Sequence, residues 1–266
     1  MAKKTSKTVS SNRWNIAQES EKEYWADYDT ESIYKESGGR NPARLKIMTE
    51  EWKKWMTLKK DTKILQVGCG PEDVINYFTQ GKCYSIDPLA DFYKERFKLD
   101  YKRTNLVKGV GENLPFPDNY FDVVILANVL DHVHIPEKVL DEIHRVLKQD
   151  GIFHFEVFTY QNSFIGLAKI YSFFKKILNN QIYNIHHPYM FNKKKIKNLL
   201  IQKNFIILKD IFGRSILEEI EDIEALKKKR KKSEKITERF PAKFGIYGVI
   251  NYTAICKKAP KEENKE

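Results

Sequence analysis

Two glycines and an acid carry the first chemistry in this chain. Gly68-Cys69-Gly70-Pro71 breaks an apolar run, and Asp87 follows Gly68 by nineteen residues. Glycine lets backbone approach a ligand closely because no Cβ intervenes. A carboxylate about 20 residues on can accept hydrogen bonds from both hydroxyls of a ribose. The pair predicts an adenosine-containing ligand. Cys69 reads as a small residue that fits the turn rather than as a nucleophile. A second set could move a proton: Asp131 and His132 in Asn128-Val129-Leu130-Asp131-His132-Val133, with His187 behind them in His186-His187-Pro188-Tyr189-Met190-Phe191. An oxygen acceptor must lose its proton to a group of this kind, and His132 is the first candidate.

Those residues need elements to place them. Ile64–Val67 is an apolar strand that runs into the glycine turn. Glu72-Asp73 then open a helical pattern through Val74, Ile75, Tyr77 and Phe78, and Cys83–Ile86 is a second strand closing on Asp87. Val123–Ala127 is a strand that delivers Asn128 to Val133. Pro136 opens a helix with Val139, Leu140, Ile143, Val146 and Leu147 at helical spacing. Gly151 ends the connection, and Ile152–Val157 is a fifth strand. A helix over Lys193–Lys203 stops at Asn204, the sixth strand is Phe205–Leu208, and Val249–Cys256 reads as an antiparallel seventh. The alternation predicts an α/β chain with a Rossmann-like seven-stranded sheet, mostly parallel and flanked by helices.

A dinucleotide would need a third glycine, in the pattern G-x-G-x-x-G, where Asp73 stands. An acid there would repel a pyrophosphate. A ligand with adenosine, no phosphate and a cationic centre fits better, and S-adenosyl-L-methionine (SAM) is one.

The stretch Gly109-Val110-Gly111-Glu112-Asn113-Leu114-Pro115-Phe116-Pro117-Asp118-Asn119-Tyr120-Phe121-Asp122, with the glycine turn before it and the Asn128 segment after it, resembles the class I SAM-dependent methyltransferases. The likeness is to the subgroup with a GENLPFPDNxFD-type segment, and it covers roughly Asp61 to Lys209. It implies that Gln66, Gly68, Cys69 and Gly70 lie at the methionine part of SAM and that Asp87 holds the ribose. Val110, Gly111 and Glu112 would follow the adenine edge, and Asn128 would face the reaction centre. Three positions depart from the family pattern. Gln66 stands where an acid is usual, Glu72 where a third glycine is usual, and Val110 where an Asp is usual. The expected activity is methyl transfer to an oxygen or nitrogen of a small molecule (a sugar, a lipid or a precursor). An RNA methyltransferase and a non-catalytic SAM-binding protein stay open as alternatives.

The 266 residues are 41% hydrophobic and 13% aromatic, enough for a real core. Nearly all of the net charge of +11 sits in Lys3, Lys4, Lys7 and Arg13 and in the run Lys227–Lys235. The rest is close to neutral, so nucleic acid is not the expected partner. Cys69, Cys83 and Cys256 form no C-x-x-C pair. They read as reduced thiols of a cytoplasmic protein without an apolar leader or a spanning segment. No His/Cys/Asp/Glu set has metal-ligand spacing, and no metal is expected.

The expected organisation is a basic disordered tail over 1–12, a helical cap over 13–60 and the methyltransferase domain over 61–258. Inside that domain lie a lid-like insertion at 158–190 and a basic helical insertion at 213–248, and a polar tail covers 259–266. In the cap, Trp14, Tyr24 and Trp25 are candidates to line an acceptor pocket with His187 and Tyr189. The aromatic-rich stretch Phe158–Asn184 carries Lys169, Lys175 and Lys176. It could be a lid, a helix packed on its own domain, or a peripheral membrane contact.

Overall fold

The structure is a computed structural model describing residues 8–29, 45–71, 74–97, 104–179, 186–213 and 249–259. Its centre is a seven-stranded sheet in the order β3-β2-β1-β4-β5-β7-β6. The strands are β1 (Lys63–Val67), β2 (Lys82–Asp87), β3 (Thr104–Lys108), β4 (Phe121–Ala127), β5 (Leu147–Tyr160), β6 (Phe205–Gly213) and β7 (Val249–Lys258). The β1–β2, β1–β4, β2–β3 and β4–β5 pairs are parallel, and β7 runs antiparallel between β5 and β6. The helices are α1 (Ser11–Ala26), α2 (45–52), α3 (Ala90–Phe97), α4 (Pro136–Val146), α5 (Asn162–Asn179) and α6 (Lys193–Gln202).

Parallel strands covered on both faces read as unbroken apolar runs, and β4 shows why. Val124 and Leu126 face one side with Leu65, Val67, Phe153 and Phe155, under α4 and α6. Val123 and Ile125 face the other with Ile64 and Ile152, under Met48 and Trp52 of α2. Val139, Leu140, Ile143 and Val146 of α4 are all fully buried, and each contributes roughly 1.5–3 kcal/mol. The second core also holds a polar chain. Trp52 Nε1–H donates to His154 Nδ1 at 3.2 Å, and His154 Nε2 lies 2.9 Å from Glu156 Oε1. Because Nδ1 accepts, the proton sits on Nε2 and is donated to Glu156.

The strand order reverses between β1 and β4, and ligands of open α/β sheets bind beyond the carboxyl ends of the strands at that point. The glycine turn leaves β1 there and Asn128 leaves β4 there.

Several expected boundaries shift. The helix expected from Glu72-Asp73 through Phe78 is, among the described residues, a single 3-10 turn over Val74–Tyr77; Glu72 and Asp73 lie outside them. Gly151 lies inside β5, because the strand starts directly after α4 at Leu147. A Cβ at Gly151 would come within 2.7 Å of Leu147 Cδ1. The tail expected over 1–12 ends sooner. Ser10 caps α1 by accepting from Arg13 N–H, and Val9 N–H donates to the Tyr189 hydroxyl at 3.1 Å. β5 runs on to Tyr160, so the expected insertion at 158 begins later, with α5. The basic run Lys227–Lys232 and its expected helix lie outside the described residues.

Candidate functional site

The glycine turn is fixed by its backbone. Gly68 and Gly70 have φ of +67° and +60°, a region that L-side chains rarely adopt. Gly68 N–H donates to Ile86 O at 2.8 Å, and a Cβ on Gly68 would stand 2.5 Å from Val129 Cγ2. At Gly70 a Cβ would meet nothing within 4 Å, so this part of the turn borders open space. Asp87 ties the turn to β2. Its Oδ2 accepts from Gly70 N–H at 2.9 Å and its Oδ1 from Leu89 N–H at 2.8 Å. Burial pushes its carboxyl up to about 6, although those two N–H bonds pull the other way.

Asn128 takes the left-handed conformation, φ +57°, as β4 ends, a region in which Asn is enriched among non-glycine residues. Its N–H donates to Glu156 O at 2.9 Å. The loop carrying Gly109 to Glu112 is pinned from α4. Arg145 donates to Phe116 O and Leu114 O at 2.7 and 2.9 Å, and Glu142 accepts from Leu114 N–H at 2.7 Å. Glu112 Oε1 accepts from His134 N–H and Ile135 N–H at 2.8 and 3.0 Å. Its carboxylate thus closes the start of α4, where a negative charge is favoured.

These elements enclose a cavity of about 320 Å³. All nine expected cofactor residues line it: Gln66, Gly68, Cys69, Gly70, Asp87, Val110, Gly111, Glu112 and Asn128. His132 lines it as well, and α1 closes it with Trp14, Gln18, Glu21 and Trp25, one stripe at helical spacing. Tyr24 is 46% exposed and is not part of the lining; its hydroxyl meets that of Tyr28 at 2.8 Å. Tyr189 is also away from the cavity. Its hydroxyl donates to His134 O at 2.6 Å, which makes it a strut between the Pro188 turn and the start of α4.

SAM can be tested against this cavity through its buried polar atoms. Gln66 Oε1 and Asn128 Oδ1 are buried acceptors without a hydrogen-bond partner, and Trp14 Nε1 is a buried donor without one. A buried polar group left unpaired is costly. Two acceptors and a donor in one cavity suit a zwitterion, whose ammonium donates and whose carboxylate accepts. Asp87 adds ribose-binding capacity, and Gly68 and Gly70 bring backbone close. The residues fit the group. Gln66 keeps the acceptor of the usual acid without its charge. Val110 offers adenine only its backbone.

Beside the cavity, the structure gathers His132, Asp131 and His187 with one residue that the sequence reading missed. His132 Nδ1 lies 3.2 Å from Glu21 Oε2 of α1, and His187 Nδ1 lies 2.8 Å from Asp131 Oδ2. The two imidazole rings are 4.3 Å apart. His132 Nε2 is 3.9 Å from Asp131 Oδ1, outside hydrogen-bond range. Burial opposes a charge on His132, but the Glu21 hydrogen bond and the Asp131 and Glu21 charges outweigh it and raise its pKa. Burial also opposes the charge on Glu21, and His132 outweighs it and lowers that pKa. One ligand atom each of Asp131, His132 and His187 lies within 4.8 Å of the others. Sequence spacing could not reveal this set, because His187 is 55 residues from His132. Glu21 had one signal, its place on the stripe of Trp14, Gln18 and Trp25.

Residues 65–155 match the methyltransferase-domain family. The arginine-hydroxylase NDUFAF5, mitochondrial, of Rattus norvegicus is 35% identical over 92 residues, which are 34% of this chain and 26% of that protein. The thiol S-methyltransferase TMT1B of Mus musculus is 35% identical over 101 residues, 35% of this chain and 41% of the relative. The chain thus spans less than half the length of these relatives. A Haemonchus contortus N-methyltransferase 2, solved with phosphomonomethylethanolamine and S-adenosylhomocysteine, shares the fold at a TM-score of 0.53 and 16% identity, over 84% of this chain and 53% of that one. The sheet order, the glycine turn at the switch point and the matched segment agree: residues 65–155 are similar to the methyltransferase-domain family, and the sheet around them has the fold of solved methyltransferases.

Proposed function

We propose that the protein transfers a methyl group from SAM to an oxygen or nitrogen of a small-molecule acceptor, a sugar, a lipid or a precursor of one. The observation that carries this reading is the single cavity that joins Asp87 and the Gly68–Gly70 turn to His132. When bound, SAM supplies an electrophilic methyl on a sulfonium. Everything else falls to the chain. Asp87 accepts from the ribose hydroxyls while its N–H partners hold it still. Gln66 and Asn128 offer acceptors to the ammonium. Trp14 and Trp25 keep water away from the reacting groups, which must meet in line.

His132 takes the proton of the acceptor. Its Nδ1–H donates to Glu21 Oε2, so Nε2 carries the lone pair and is the basic atom. The carboxylate orients the ring and raises its basicity, as in other carboxylate–histidine pairs. His187 Nδ1, 2.8 Å from Asp131 Oδ2, places a second imidazole beside His132.

The test is incubation of the full chain with methyl-labelled SAM and cell extract, beside His132→Ala. The expected result is label in a small-molecule fraction, reduced about 10²–10⁴-fold in the variant, with SAM affinity unchanged. Label in RNA or protein, or none from the wild type, would overturn the reading.

A further inference from the structure

The strongest unexplained feature lies outside the cavity, on α5. This helix starts two residues beyond the carboxyl end of β5, the end of the sheet on which the crevice opens. Among its described side chains only Ala168 is buried. Leu167, Ile170, Phe174, Ile177 and Leu178 are between 48% and 74% exposed, and Phe173 beside them is 62% exposed. Positions 167, 170, 174, 177 and 178 recur at helical intervals, so the apolar side chains form one face. A contiguous apolar face of this kind marks an interaction site.

Charge identifies the occupant. The 18 residues of α5 contain Lys169, Lys175 and Lys176 and no Asp or Glu. At 100° per residue Lys169 and Lys176 fall opposite the apolar face and Lys175 falls at its flank. A second copy meeting this face through a two-fold axis would bring the same lysines together with no acid on the helix to offset them. An anionic lipid surface offers both halves of the complement, acyl chains for the apolar face and negative headgroups for the lysines. The helix does not span: no helix among the described residues is long and apolar enough to cross a membrane.

We propose that α5 docks this protein on an anionic bilayer, lying in the interface plane with its apolar face among the acyl chains and its lysines at the headgroups. The crevice then opens beside the lipid surface, and an acceptor dissolved in the bilayer reaches it without crossing water. Docking stands independently of the methyl-transfer reading, because it needs neither SAM nor His132.

The test is co-sedimentation of the full chain with phosphatidylcholine vesicles and with vesicles that also contain phosphatidylglycerol. The expected result is binding to the anionic vesicles, weakened by salt, and little binding to phosphatidylcholine alone. The double variant Phe174→Glu/Ile177→Glu should lower the affinity about tenfold or more, with SAM titration and melting unchanged, since both side chains are exposed. Replacing Lys169, Lys175 and Lys176 by Gln should remove the preference for phosphatidylglycerol. No vesicle binding by the wild type would overturn the proposal. So would binding that survives the double variant, which would assign it to another basic segment, or a dimer in light scattering that the double variant dissolves.

Discussion

Gly68, Gly70, Asp87 and Asn128 sit at the ends of three neighbouring strands, where the two glycines act through backbone and the Asp87 carboxylate holds the turn. Glu21, His132 and His187 come instead from an N-terminal helix, the loop after β4 and the turn before α6, and act through side chains. The first wall of the crevice is built within about sixty residues and two parallel strand pairs. The second is closed by contacts such as Glu21–His132 and Asp131–His187, between segments far apart in the chain. The first wall repeats what any such cofactor needs, while the second is assembled by tertiary contact.

If the first wall is backbone machinery, the smallest side chain should break it most. Gly68→Ala places a Cβ 2.5 Å from Val129 Cγ2 at a φ of +67°. The expected cost is about 2–4 kcal/mol of stability, with SAM binding lost, read by thermal melting and titration. A variant that melts like the wild type and binds SAM would show that the turn has room to relax.

The sequence made that wall legible and left the other dark, for physical reasons. A positive φ and a close approach demand glycine, so the turn is written in residue types. The strands that carry it are apolar on both faces and hard to misread. A 3.2 Å contact between Glu21 and His132 leaves no such mark, because many acids and histidines would look the same from the sequence. Tyr24 and Tyr189 are aromatic neighbours of the right segments, yet one is exposed on α1 and the other braces a turn. Glu112 follows the cavity wall as expected, but its carboxylate is committed to the start of α4.

A smaller change sharpens the role of Asp87. Asp87→Asn keeps one acceptor for the N–H pair and removes the charge, so SAM affinity should fall about tenfold to a hundredfold. The wild-type carboxyl gains its proton near pH 6, so SAM binding should weaken from pH 7 to pH 5 and the variant should be flatter. Without ligand the slope reverses. The unfolded carboxylate ionises near its ordinary value of about 4, so the contribution of Asp87 to stability falls as pH rises from there to about 6. Calorimetry and melting across pH check both signs.

The smallest expected effect belongs to Glu21→Gln. Glu21 holds the His132 pKa above its ordinary value. Without that charge, burial lowers it, and the limb on which turnover rises with pH moves to lower pH. The plateau should drop about tenfold while SAM affinity is kept. A limb that does not move would detach α1 from proton transfer and leave His187 with Asp131 as the pair that acts.

The central claim is that this crevice is a SAM site anchored by Asp87. Calorimetric titration of the wild type and of Asp87→Ala with SAM and with S-adenosylhomocysteine tests it most directly. The account predicts saturable binding of both ligands by the wild type and its loss in the variant. Absence of binding in the wild type, or equal binding by the variant, would contradict it.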